Sequence, residues 1–260
     1  MKRLLQAYRC QDPCAARAAL REWYRQPLGE ALASEEQALL ATVLSERFGY
    51  HLLQLGRPMA TDLTQASRIS HRMVCCSEHH KGPAAGPVSL YAEADALPIA
   101  SGSIDVVVLP HVLSFANQPH GVLREVERVL IPEGYVVILG FNPWSLFGLR
   151  RLLLGWRQDS PWCSHFYGTM RIRDWLSLLG FDTVQQRYYF YRPPVARRGL
   201  LRRLGLLERW GARFWPLLGG GYLLVARKRV TTLTPIRPRW RSRRLIPVGN
   251  VEPTARRNRT

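Results

Sequence analysis

A chain of 260 residues with 47% hydrophobic residues is long enough for one large α/β domain and too apolar to be wholly disordered. Its formal charge of +18 is unevenly placed: residues 1–191 carry 19 Lys and Arg against 17 Asp and Glu, residues 192–260 carry 18 against 2. No stretch offers the roughly 20 uninterrupted apolar residues of a membrane span, and the five cysteines lack the spacing of a disulfide framework, so a cytoplasmic protein is expected.

Residues 1–26 read as one or two helices. Residues 30–48 form the clearest N-terminal helix, with Leu32, Leu39, Leu40, Val43 and Leu44 at helical spacing and Gly49 as the stop. Residues 1–48 are therefore expected to make a helical cap. The run "YHLLQLG", 50–56, reads as a buried strand, and Arg57-Pro58 forces a loop. Residues 68–76 are a second strand, followed by the loop "KGPAAGP". His79 and His80 lie near Cys75 and Cys76, which makes a metal conceivable. No second ligand pair at zinc spacing follows, so no metal is expected.

The next stretch is the most regular. Residues 88–92 suit a strand, and "DVVVL", 105–109, is the β-branched run of a parallel strand buried on both faces. Residues 118–130 form a helix with Val122, Leu123, Val126, Val129 and Leu130 as its apolar stripe, ended by "PEG". "YVVILG", 135–140, is the next buried strand, which completes a βαβ unit. Asn142-Pro143 then opens a helix, with Asn142 as cap and Trp144 buried. A helix over 171–179 ends at Gly180, and strands follow at 181–190 and 222–227.

The segment "AEADALPIASGSIDVVVLPHVLSFANQPHGVLREVERVLIPEGYVVILGFNPWSL" resembles the S-adenosylmethionine-dependent methyltransferases of class I, type 11 family. An acidic and a small residue precede Leu-Pro, then come Ser-Ile-Asp, an aliphatic strand, a helix with Leu-Arg-Glu, and Pro-x-Gly before another aliphatic strand. "FNPWSLFGLRRLL" and "YRPP" resemble a bacterial branch of that family. The resemblance implies an α/β, Rossmann-like fold: a seven-stranded, mostly parallel sheet with helices on both faces, here over residues 49–230. S-adenosyl-L-methionine would lie across the carboxyl ends of the first and fourth strands, where the strand order reverses.

The implied cofactor-binding positions are Gln54, Leu55, Gly56, Asp95, Ala96, Leu97, Pro110 and His111. Gly56 matches the first glycine of the family's loop. Gln54 stands where an acidic residue is expected, and Arg57 and Pro58 replace the later glycines. The resemblance assigns Asp95 to the adenine amino group, with Leu97 packing on the ring. The ribose partner is open between Asp62 and Glu78. His111 is the candidate base or substrate-orienting residue, and a loop histidine satisfied by backbone is the equal alternative. His165, Tyr167 and Asn142 are further candidates on the substrate side. Asp105 begins its strand at the far end and reads as structural.

The basic block of residues 192–260 points to an anionic partner, nucleic acid or a membrane surface, beside the methyl acceptor. Arg197 to Trp215 interleaves Arg with Leu and Trp, as in an amphipathic helix with a basic face. Residues 231–260 read as a Pro- and Arg-rich tail without regular structure. Two functions follow: methyl transfer to an acceptor, or a non-catalytic relative that binds through its basic region. An open cleft bordered by Gly56, Asp95 and His111 supports the first. A cleft filled by Arg57 or Met59 supports the second.

Overall fold

The computed structural model describes residues 13–59, 62–77, 88–154, 162, 164–194, 213 and 215–229. Seven strands form one sheet: β1 (His51–Leu55), β2 (His71–Cys76), β3 (Leu90–Tyr91), β4 (Ile104–Pro110), β5 (Leu130–Phe141), β6 (Phe181–Tyr189) and β7 (Gly221–Lys228). Their order is β3-β2-β1-β4-β5-β7-β6. Strands β1 to β5 pair in parallel, and β7 runs antiparallel to both β5 and β6. The order reverses between β1 and β4, so a crevice opens at their carboxyl ends. This is the expected Rossmann-like fold.

Six α-helices lie among the described residues: α1 (Pro13–Tyr24), α2 (Pro27–Ser45), α3 (Val112–Phe115), α4 (Pro119–Val129), α5 (Leu146–Leu154) and α6 (Thr169–Leu178). Strand alternation sorts the core into two layers. Leu52, Val106, Val108, Val137, Leu139, Leu223 and Val225 face Leu20, Trp23, Leu28, Leu32 and Leu40 of α1 and α2. Leu53, Val107, Leu109, Val136, Ile138 and Leu224 face Val122, Val126, Ile172 and Leu176 of α4 and α6. The two N-terminal helices thus supply one helical layer of the sheet. None of the described helices is long and apolar enough to cross a membrane.

Three local expectations need correction. "PEG" does not separate α4 from its strand: β5 starts at Leu130, which pairs with Ile104, and the register then jumps to Val106 opposite Tyr135. Glu133, at φ 63°, turns the intervening bulge. Asn142 does not cap α5. Its amide donates to the carbonyls of Leu217 (2.7 Å) and Gly219 (2.9 Å), while the Ser145 hydroxyl accepts from the Gly148 amide at the helix start. Trp144 is not buried but 78% exposed. Asp105 is structural as expected, accepting the amides of Tyr50 (3.0 Å) and His51 (2.8 Å). His79, His80, Glu78, Ala60, the basic segment 197–212 and the tail 231–260 lie outside the described residues.

Candidate active site

A cavity of about 580 Å3, its mouth included, opens at the carboxyl ends of β1, β2 and β4. Its walls include Leu55, Gly56, Arg57 and Pro58 after β1, and Cys75, Cys76 and Ser77 at the end of β2. Ala92 and Ala94 follow β3, and Pro110, His111 and Val112 follow β4. Helix α1 adds Arg17 and Leu20. Four of the expected positions therefore meet at one cavity: Leu55, Gly56, Pro110 and His111.

The other four lie outside the lining. Gln54 is buried and folds back, its side-chain amide donating to the Gly56 carbonyl at 2.8 Å. Gln54 thus ties its side chain to the loop that follows β1. Asp95 and Ala96 are exposed in the turn after β3. Leu97 is buried, and a clamp holds it: its amide donates to Glu125 (3.1 Å) and its carbonyl accepts from Arg128 (2.9 Å). Arg128 also donates to Ile99 (2.8 Å) and pairs with Glu125. The Arg128 hydrogen bond is the main reason the Glu125 carboxyl lies below the usual carboxylate range. Arg128→Ala should cost about 1–3 kcal/mol by orphaning these groups and should raise amide hydrogen exchange over residues 94–99. Unchanged exchange there would contradict the clamp.

Gly56 sits at φ 76°, where a side chain is strained, and an added Cβ would stand 3.3 Å from Val112 Cγ2. The backbone can therefore approach a ligand closely at this point. Among the described residues no Asp or Glu lines the cavity, whereas two arginines do. Arg17 donates to the Ser77 hydroxyl at 2.8 Å. Arg57 keeps buried Nε and Nη1 atoms without a hydrogen-bond partner. Buried donors of this kind call for an acceptor, and a carboxylate suits a guanidinium best. Met59 packs in the core and lies outside the lining, Arg57 stands on the wall, and of the three residues expected to border the cleft Gly56 and His111 line it while Asp95 does not.

Burial pushes the Cys75 thiol up to about 11, with Cys76 beside it adding to the shift. Burial also raises Cys76, although Arg57, Arg21 and Arg17 oppose it. Both stay protonated near neutrality, and the thiolate is the reactive form. Alkylation by iodoacetamide at pH 8 should therefore be slow at both, and a ligand in the cavity should slow it further. Labelling of native protein as fast as that of unfolded chain would contradict this placement.

The His111 ring is partnered by a carboxylate and not by backbone. His111 lies in the left-handed region at φ 57°, 1% exposed, stacked 4.2 Å from the Phe141 ring. Its Nε2 lies 2.9 Å from Glu36 Oε1 of α2, and Nδ1 is buried without a partner. The Tyr189 hydroxyl donates to the same carboxylate oxygen (2.8 Å), and the Tyr24 hydroxyl donates to the other (2.9 Å). Glu36 thereby joins α1, α2, β6 and the end of β4 in one buried hub. Residue spacing offered a signal for it: Glu36 lies on the Leu32–Leu40 stripe, four residues from each.

The other candidates are structural or distant. His165 donates its amide to the Ser114 carbonyl (2.9 Å) and stacks near Tyr167. Tyr167 packs edge-on against Trp175. Asp62 caps its own turn by accepting from Thr64. Among the described residues no group of three or more His, Cys, Asp and Glu could hold a metal.

A methyltransferase-domain family model matches residues 50–138. The chain is 34% identical over 212 residues to YafS, an uncharacterized protein of Escherichia coli (strain K12), covering 82% of each. A shorter stretch of 72 residues, 28% of this chain and 24% of the relative, is 36% identical to a malonyl-[acyl-carrier protein] O-methyltransferase of Laribacter hongkongensis. The solved structure of a Thermotoga maritima S-adenosylmethionine-dependent methyltransferase, a possible histamine N-methyltransferase, superposes with TM-score 0.55 at 14% identity. It covers 76% of this chain and 89% of that one. Strand order, cleft and relatives agree: the chain belongs to the class I, S-adenosyl-L-methionine-dependent methyltransferases, in the lineage that contains YafS.

Proposed function

We propose that this cavity holds S-adenosyl-L-methionine and that the chain transfers its methyl group, by in-line displacement, to an acceptor entering beside His111. The observation that carries the reading is the cavity at the β1–β4 switch point, with the half-buried Arg57 on its wall, whose buried Nε and Nη1 have no hydrogen-bond partner. The cofactor supplies a methyl group activated by a sulfonium. Leu55 and Gly56 give close backbone approach, and Pro110 and His111 wall the opposite side. Arg57 accepts the amino-acid carboxylate. The turn carrying Asp95, Ala96 and Leu97 borders the adenine end, held there by Glu125 and Arg128.

Methyl transfer needs alignment and water exclusion, and a base only where the acceptor carries a proton. Nε2–H of His111 donates to Glu36, a tautomer assigned from the hydrogen bonds, and the buried Nδ1 keeps a lone pair that can accept a proton. Burial, and then the Glu36 charge, hold the Tyr24 and Tyr189 phenols well above the ordinary tyrosine range, so both remain donors to Glu36. The protein works in the cytoplasm, and residues 192–260 meet an anionic partner.

The test separates the amino-acid end from the adenosine end. Arg57→Ala should weaken binding of S-adenosylhomocysteine about tenfold or more and leave methylthioadenosine, which lacks the carboxylate, unchanged. Equal losses for both ligands would remove Arg57 from this role.

A further inference from the structure

His51 opens β1 and His71 opens β2, at the end of the sheet opposite the cavity. The two residues are direct partners in the parallel register, so their side chains leave the sheet on one face. Both are exposed. Their rings cross at 85° with centroids 5.0 Å apart, and Nδ1 of one lies 2.8 Å from Nδ1 of the other. The backbone beneath is held from both sides. Strand β1 pairs with β2 and β4, and the His51 amide donates to the Asp105 carboxylate at 2.8 Å. The sheet therefore sets the spacing of the two imidazoles.

A neutral imidazole carries one proton on its two nitrogens, so two facing Nδ1 atoms need a shared proton or a cation between them. Their separation discriminates among ions. Two nitrogens at right angles around an ion about 2.0 Å away stand about 2.8 Å apart, which is the edge of a tetragonal site. Tetrahedral zinc at about 2.0–2.1 Å would hold them about 3.3 Å apart. Tetragonal sites of nitrogen and oxygen ligands suit divalent copper and nickel. Rotation of each ring about its Cβ–Cγ bond can aim both lone pairs at one point without moving a strand. The Asp105 carboxylate beside His51 supplies a negative charge that favours a dication here. Among the described residues no group of three His, Cys, Asp or Glu forms a larger ligand set, so solvent takes the remaining positions.

We propose that His51 and His71 chelate one divalent nickel or copper ion through their Nδ1 atoms. The proton that bridges the pair in the absence of an ion moves to a ring Nε2 when the ion binds. The ion ties β1 to β2 at their amino ends. It stabilises the folded chain by mass action, because unfolding separates the two ligands. Neither histidine lines the cavity, so the site is independent of methyl transfer.

Calorimetric titration of the full-length chain, free of any polyhistidine tag, with nickel chloride tests this. One saturable ion should bind, more tightly than zinc, and Tm should rise with nickel concentration. His51→Gln and His71→Gln change exposed side chains only, and their circular dichroism and S-adenosylhomocysteine titration should match the parent. Each should weaken nickel binding about tenfold or more, at least what loss of an outer-shell partner costs, and each should remove the rise in Tm. Absent nickel binding, or nickel binding that both variants leave unchanged, overturns the proposal. Zinc bound more tightly than nickel overturns its tetragonal geometry. None of those results touches the methyltransferase reading, which the S-adenosylhomocysteine titration of the same samples reports separately.

Discussion

Replacing Glu36 with alanine will destabilise the protein by about 3–5 kcal/mol, because it breaks a buried hub from one side. Three groups lose their partner together: the Tyr24 hydroxyl, the Tyr189 hydroxyl and His111 Nε2. Against a usual total of about 5–15 kcal/mol this is a large loss, and it should lower Tm by roughly 10 °C for a chain of this size. Tyr24→Phe removes one donor of three and should cost about 1–2 kcal/mol. Urea unfolding of the two variants measures both. A Glu36→Ala cost under about 1 kcal/mol would mean the hub is solvated, contrary to its complete burial. The phenols give the pH dependence. Their pKa values are raised in the folded state, so the stability they contribute is complete below the ordinary tyrosine pKa of about 10 and declines as pH rises above it.

Gly56→Val will remove cofactor binding by about a hundredfold or more, which is roughly 2.7 kcal/mol. Two effects combine. A β-branched residue at φ 76° strains the backbone, and its Cβ meets Val112 at 3.3 Å, so the branches push into the cavity or displace α3. Gly102→Val is the control. Gly102 has a similar φ of 61°, and nothing lies within 4 Å of an added Cβ. It carries the same strain away from the cavity and should leave cofactor affinity unchanged while lowering stability. Calorimetry of both variants decides the matter. Equal losses of affinity would mean that strain, not proximity, explains the first result.

Much of the fold was legible because its signals are local and redundant. Val106, Val107 and Val108 are fully buried and sit in the sheet as their β-branched run predicts. The amphipathic α4 and the run 135–140 fix the crossover between them. The antiparallel pair of β6 and β7 follows from element order and the resembled fold. The bulge at Glu133 was not legible, because Pro-x-Gly ends a helix and turns a strand equally well. Trp144 misled for a related reason: an aromatic beside a proline reads as core, and the contacts that would bury it come from elsewhere in the chain.

The candidate site was half legible. Leu55, Gly56, Pro110 and His111 follow strand ends, which the pattern locates. Arg17 enters from a helix far away in sequence, and only tertiary packing brings it to Ser77. Glu36 lies between Glu35 and Gln37, in a stretch that reads as a solvated helix face. Its place on the Leu32–Leu40 stripe was the one contrary sign. The β-turn carrying Asp95 lies beside the cavity rather than in its lining, because Glu125 and Arg128 hold it from the α4 side.

The central claim is that the β1–β4 cavity binds S-adenosyl-L-methionine despite the missing glycines after Gly56. Calorimetric titration of the full-length chain tests it most directly. One saturable site with micromolar affinity is expected, weakened by Gly56→Val and preserved in Gly102→Val. Absence of heat at about millimolar cofactor, which corresponds to less than roughly 4 kcal/mol of binding free energy, would contradict it.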